Sequence, residues 1–170
     1  QQLALNGAGD AYLLLGDPDE AAQHFQWAMD LAPMSRGGLY AAYQLGRVHL
    51  EAGHVAQALA LFEQLAAHPD EAVAADGGLA LAFVHLSRGE AALARAELET
   101  LRARHPNRPQ ADRAGYYLAL LALNAGEREE AARLCHEVIR RVPQADEALE
   151  ARLLLADLMT ARQSPQETLA

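Results

Sequence analysis

The sequence predicts an all-α protein, an α-α superhelix in which antiparallel helical hairpins stack as a right-handed solenoid. Three observations carry this. Glycines stand at Gly16, Gly53, Gly89 and Gly126, spaced 37, 36 and 37 residues apart, and prolines at Pro33, Pro69, Pro106 and Pro143, spaced 36, 37 and 37 apart. Within each period apolar residues recur every three or four positions, which is the period of a helix face. Of the 170 residues 51% are hydrophobic but only 5% aromatic, and much of the remainder is alanine, so the interior must be built from small side chains at close approach. A stacked array suits such a chain because each repeat buries its apolar face on its neighbours.

Residues 2–15 place Leu3, Leu5, Ala8, Ala11, Tyr12 and Leu15 along a first helix that Gly16 ends. Asp17-Pro18-Asp19-Glu20 reads as the next start: Asp17 caps free N–H groups, Pro18 has its φ preset, and Glu20 follows three residues after the cap. The second helix carries Ala21, Ala22, Phe25, Ala28, Met29 and Ala32 on one stripe, with Trp27 beside it, until Pro33 stops it. After a joint at 35–38, a helix over about 39–52 turns Ala42, Leu45, Gly46, His49 and Leu50 inward; its partner is striped by Val55, Ala58, Leu59, Phe62 and Leu65.

The third pair is expected over 72–85 and 91–104. Its first helix contains Gly77-Gly78, which weakens a helix by about 1 kcal/mol per glycine relative to alanine; close approach of two backbones would justify that. The fourth pair spans 110–125 and 128–141. A last helix, with Leu149, Leu153, Ala156 and Met159 as its stripe, ends at Ser164-Pro165 and reads as the lone first helix of a fifth repeat. The repeats thus fall at 2–35, 39–72, 75–108 and 112–145, with a terminal helix at 146–162, in a single domain over 1–170.

The formal charge is −9, and all 14 basic residues are arginine. That balance argues against a dedicated nucleic-acid binder, which needs a positive footprint. Cys135 is the only cysteine, so no internal disulfide forms. No apolar run reaches the roughly 18 residues of a membrane span. The first residue is Gln1, so the lack of a targeting segment carries no weight, and a soluble location in either cytoplasm or periplasm stays open.

These columns resemble the tetratricopeptide repeat (TPR) family, whose signature runs from a large residue through a small pair, an aromatic, an alanine and a second aromatic to a terminal proline. In the first period Leu5, Ala8-Gly9, Tyr12, Gly16, Ala21, Phe25, Ala28 and Pro33 occupy those places, and in the second Ala42, Leu45-Gly46, His49, Gly53, Ala58, Phe62 and Pro69. The third has Gly78, Leu81-Ala82, His85, Gly89, Ala94, Leu98 and Pro106, and the fourth Gly115, Leu118-Ala119, Ala122, Gly126, Ala131, Cys135 and Pro143. The aromatic columns fade toward the C-terminus, and the 36–37-residue period exceeds the family's 34. Such a variant looks like the arrays of bacterial envelope proteins as well as cytoplasmic ones.

The resemblance implies that the first helices line a concave groove. Carried onto this chain, the groove comprises Asn6, Asp10, Tyr40, Tyr43, Arg47, Leu79, Phe83, Arg113, Tyr116 and Leu120, with Leu13, Leu14, Leu50 and Leu86 alongside. Aromatic rings there supply contact area at low entropy cost; the alternative is that they only thicken helix packing. The carboxylate clamp of the family's chaperone-tail receptors is missing, since the chain has no lysine and the comparable places hold Asn6, Asp10, Gln44, Asp76 and Ala80.

Other residue types point less far. His49 and His85 share an aromatic column, on helices about 8–10 Å apart, too far for one ion, and the adjacent Cys135 and His136 face different ways. No metal and no cofactor is therefore expected. Arg88, Arg95, Arg102, Arg104, Arg108 and Arg113 concentrate basic charge around the third hairpin, either paired along a helix, as Arg95 with Glu99 and Glu137 with Arg141, or open to an acidic partner. No phosphate loop, nucleophile elbow or catalytic carboxylate pair is recognisable, so the chain is not read as an enzyme. The expected function is a non-catalytic scaffold holding a peptide or helix of an unidentified protein partner. The alternatives are a structural array that self-associates through its end repeats and an envelope module binding or guiding an exported polysaccharide.

Overall fold

The structure, a computed structural model, describes residues 1–163, with side chains to residue 160; the expected stop at Ser164-Pro165 lies outside the described residues. Among the described residues there are nine α-helices and no strand, which is the expected all-α class of stacked helical hairpins. The helices are α1 (Gln2–Leu15), α2 (Pro18–Leu31), α3 (Arg36–Glu51), α4 (Val55–Ala66), α5 (Glu71–Ser87), α6 (Ala91–Arg104), α7 (Pro109–Asn124), α8 (Arg128–Arg141) and α9 (Asp146–Gln163). They group into two compact units, Gln1–Gly89 and Glu90–Ala170. No described helix is long and apolar enough to cross a membrane.

The phase of the glycines has a backbone cause. The described residues with positive φ are Gly16, Gly53, Gly89 and Gly126, at 72–80°. At Gly16 the helix closes with Asp17 N–H donating to Tyr12 O at 2.9 Å and Gly16 N–H to Leu13 O at 3.1 Å, a left-handed cap that a Cβ would strain. The starts are equally local. Asp17 accepts from Glu20 N–H at 3.2 Å, and Ser35 Oγ accepts from Gly38 N–H at 3.0 Å. That second cap starts α3 at Arg36, three residues ahead of the expected 39.

In the first unit α1 pairs with α2 and α3 with α4, α5 packs on α4, and α1, α3 and α5 also touch in succession. Phe25 and Phe62 are the largest fully buried side chains, each beneath a glycine of the preceding helix. A Cβ at Gly9 would lie 2.6 Å from the Phe25 ring, and one at Gly46 2.6 Å from that of Phe62. The small column is small because the ring fills the space a side chain would need. Gly77 has a different reason: a Cβ there would run into the backbone of Leu65 and Ala66, so α4 and α5 meet backbone to backbone, as the glycine pair suggested.

The second unit uses the same plan with different parts. Helices α6, α7, α8 and α9 pack in succession, and α7 also reaches α9. Its buried residues include Leu98, Leu118, Leu134, Cys135 and Val138, and the small and aromatic columns hold Ala119 and Cys135, both fully buried. Arg133 pairs along α8 with Glu130 at 2.6 Å and Glu137 at 3.5 Å, but the two pairs that the spacing suggested, Arg95 with Glu99 and Glu137 with Arg141, give way to bonds between helices. Arg95 bridges to Glu127 at 2.9 Å instead of Glu99, Arg102 bridges to Glu137, and Arg141 turns from Glu137 to Asp112 at 2.6 Å and to the Pro106 carbonyl. Arg113 meets Glu147 at 2.9 Å, and Arg128 donates to Leu158 O at 3.0 Å. Each of these bonds between helices spans about one repeat, because stacking brings side chains a full period apart within reach of one another.

Candidate functional site

A cleft of about 880 Å³ opens in the first unit. From α3 it takes Arg36, Leu39, Tyr40, Tyr43, Gln44 and Arg47, from α5 Ala72, Val73 and Asp76, and from the joints before those helices Met34, His68 and Asp70. Leu65 is buried and Leu39, Tyr43 and Val73 are half-buried, whereas Arg36, Arg47, Asp70 and Asp76 are exposed. The arrangement is an apolar lining with charges of both signs at its edge, the composition of a recognition surface for a side chain with an oily body and a polar end.

The loop before α5 is shaped by its own hydrogen bonds. Asp70 Oδ1 accepts from Ala72 N–H at 2.8 Å and Val73 N–H at 3.2 Å, and Asp70 N–H donates to His68 Nδ1 at 3.1 Å. Opposite, Tyr40 OH donates to Asp10 Oδ1 at 2.7 Å, Gln44 Nε2 donates to Tyr40 OH at 2.8 Å, and Arg47 donates to Gln44 Oε1 at 3.0 Å. Burial, and then the bond to Asp10, push the Tyr40 hydroxyl above the ordinary tyrosine range. The chain from Asp10 to Arg47 holds α1 and α3 in register and fixes the Tyr40 ring beside the cleft.

The expected groove residues separate into four groups. Tyr40, Tyr43 and Arg47 line the cleft, and Asp10 stands behind them in the hydrogen-bond chain. Asn6 and Leu79 are buried, at 6% and 7% exposure, and do not face solvent. Asn6 instead donates to Gly37 O at 2.9 Å, pinning α1 to the joint before α3. Phe83 is half-buried on α5 and is not part of the cleft. In the second unit Arg113, Tyr116 and Leu120 lie on α7. Arg113 is held by Glu147, and the half-buried Tyr116 has its ring 5.5 Å from that of Tyr117. Its hydroxyl is raised by burial and then by the Glu150 charge.

Sequence reasoning missed Met34, Arg36, Leu39, His68, Asp70 and Val73. All belong to the joints or to the turns beside them, where no helix period marks which side chains converge; the proline preceding Asp70 was the one available signal. Among the described residues no group of three or more His, Cys, Asp or Glu is arranged to hold a metal ion. His49 and His54 stand 5.8 Å apart, and burial, with the neighbouring ring, pushes His49 down. Cys135 is buried, which raises its thiol to about 11.

Comparison with known proteins agrees with this architecture. Family models described as tetratricopeptide repeat match residues 2–27, 49–116 and 113–145. No curated protein sequence matches the chain. Among solved structures it is similar to a tetratricopeptide repeat protein from Parabacteroides merdae, with TM-score 0.70 and 17% identity over 94% of this chain. The chain spans 60% of that protein's length. It is also similar to the apo form of the quorum sensor NprR from B. thuringiensis, with TM-score 0.74 and 16% identity over 97% of this chain and 53% of that one. A third neighbour is MamA, with TM-score 0.63 and 17% identity over 99% of this chain and 97% of that one. At these identities the likenesses bear on the fold alone. The repeat spacing, the left-handed glycine turns and the family matches along the chain agree, and the chain belongs to the tetratricopeptide repeat family.

Proposed function

We propose that the protein is a non-catalytic scaffold that holds a segment of a protein partner, and that the cleft beside Tyr40, Tyr43 and Arg47 is where the segment's principal side chain enters. Repeats of this family generally mediate protein–protein interaction. The observation that carries the reading is the cleft itself: two tyrosines and an arginine from one helix face, Tyr40 and Arg47 tied through Gln44 by hydrogen bonds, lining an opening of about 880 Å³. Tyrosine and arginine are the residue types that concentrate binding energy at interfaces. A pre-ordered wall leaves less entropy to lose on binding.

The test is site-specific photo-crosslinking in extract from the native source. A benzophenone side chain replaces Tyr43 in one protein and the exposed Gln57 on α4 in another, and cross-linked peptides are sequenced by mass spectrometry. The reading requires that position 43 label one recurring segment of one protein and that the position 57 variant not label it. Equal labelling from both positions, or none from position 43, removes the cleft as the binding site.

A further inference from the structure

The repeat allows each side chain of the first hairpin to be compared with its counterparts one period on. Trp27 stands where later repeats have Gln64, Thr100 and Glu137, Leu31 where they have His68, Arg104 and Arg141, and Leu14 where they have Glu51, Ser87 and Asn124. The hairpin fold itself is satisfied by polar residues at these columns. Yet the first hairpin leaves Trp27, Leu31 and Leu14 exposed by 48%, 50% and 90%. Trp27 and Leu31 belong to a contiguous surface. With Leu5 and Asp30 they line a hollow of about 420 Å³, and the rings of Tyr12, His24 and Trp27 follow one another at 5.0 and 5.2 Å. A continuous apolar patch, unlike a lone exposed leucine, marks an interaction surface.

The second unit shows what these columns meet. The counterparts of Asp17 and Trp27 there are Glu127, at the start of α8, and Glu137 on it, and both receive arginines, Arg95 and Arg102, from α6. The first hairpin presents the same acidic end, Asp17 and Glu20, to whatever covers it, with an indole in place of the second carboxylate. Residues 1–35 contain Asp10, Asp17, Asp19, Glu20 and Asp30 and no arginine or lysine. A second copy is therefore a poor occupant. Hairpin on hairpin would set carboxylates against each other, and the exposed Leu149, Leu153 and Met159 of α9 lie among Asp146, Glu147, Glu150 and Asp157, with Arg152 the one cation between 146 and 160.

We infer that this face of the first hairpin docks a basic amphipathic helix of a partner protein, its apolar stripe covering Trp27 and Leu31 and its arginines or lysines meeting Asp17, Glu20 and Asp30. The mode is a helix laid on a helical hairpin, with apolar anchors at i, i+3 or i+4, and i+7. It is a separate surface from the cleft at Tyr43 and does not depend on it.

Trp27 is the only tryptophan, so its emission reports this face directly. The probe is a stapled, helical peptide with the sequence of α6, AALARAELETLRAR, in which Arg95 and Arg102 already meet the corresponding columns of the last hairpin. A second stapled peptide has glutamate at its three arginine positions. The basic peptide is expected to move Trp27 emission to the blue and saturate, with the acidic one at least about tenfold weaker. Leu31→Arg, which installs the residue found in the third and fourth repeats, should weaken the basic peptide by about the same factor with helicity unchanged. Emission indifferent to both peptides, or equally responsive to both, overturns the inference. So does a blue shift produced by protein concentration alone with dimers in sedimentation, which would make a second copy the occupant.

Discussion

The two units are held together by different chemistry on the same plan. In the first two hairpins of Gln1–Gly89 the small column is glycine and the column facing it phenylalanine, so Gly9 sits on Phe25 and Gly46 on Phe62 with no room for a Cβ. In the second unit the same columns hold Ala119 and Cys135, and arginine bridges from Arg95, Arg102, Arg113 and Arg141 join side chains about one period apart. Volume lost from one side of a helix pair is regained on the other, and where the ring is gone the repeats are tied at their edges by charge. The columns of a repeat are thus constrained as pairs and not residue by residue, which is why the family signature fades along this chain while the helices do not.

The sharpest way to break the comparison is to remove the ring. Phe62→Ala should destabilise the first unit by about 3–5 kcal/mol, the range for a large buried side chain whose site collapses only partly. Cys135→Ala, in the same column, should cost on the order of 1 kcal/mol, since one heavy atom is removed. Thermal unfolding with hydrogen exchange resolved by helix measures both, and equal losses would end the idea that the columns carry different loads. Next in size, Gly46→Ala should cost about 1–3 kcal/mol because its Cβ would lie 2.6 Å from the Phe62 ring. In the double variant with Phe62→Leu that penalty should shrink. If it does not, the ring is not what keeps the column small.

Much of the fold is legible in the sequence because its punctuation is local. The four phased glycines are the left-handed turns, and Asp17 and Ser35 each cap a helix with their own side chain, so sequence alone places the starts and stops within a few residues. The candidate site is less legible. Tyr40, Tyr43 and Arg47 come from a helix face and can be read from the period, but His68 and Asp70 come from a joint whose path depends on the hydrogen bond between them. Asn6 and Leu79 show the limit of carrying over columns: both are buried, and Asn6 spends its amide on the Gly37 carbonyl of the neighbouring joint. Arg95 shows another, since the rule of four residues along a helix points to Glu99 while stacking delivers Glu127.

The arginine bridges sharpen the comparison at smaller scale. Arg102 and Glu137 have side chains only 22% and 24% exposed, so Arg102→Met should cost about 1–2 kcal/mol through the carboxylate left half-buried. Raising sodium chloride to about 1 M shortens the screening length to about 3 Å and should lower amide protection in α7 and α8 more than in α3 and α4. If protection changes equally in both units, the bridges contribute nothing particular to the second.

The remaining prediction concerns the residue that replaced the ring. Burial raises the Cys135 thiol to about 11 from an ordinary value of 9.0, so the folded state holds the proton that the unfolded chain releases first. The sign follows from linkage: a group whose pKa is raised by folding contributes stability that is present in full below the ordinary value and lost as pH climbs through the folded one. Stability of the second unit should therefore decline between pH 9 and about 11 by more than it does in Cys135→Ala, whose curve supplies the background of the tyrosines and arginines. At pH 8 a disulfide reagent should label native Cys135 far more slowly than the urea-unfolded chain, because both the neutral thiol and its burial oppose attack. Labelling of the native protein at the rate of a free thiol would mean that the second unit opens readily, and that its bridges do not hold the helices closed in place of the missing aromatic.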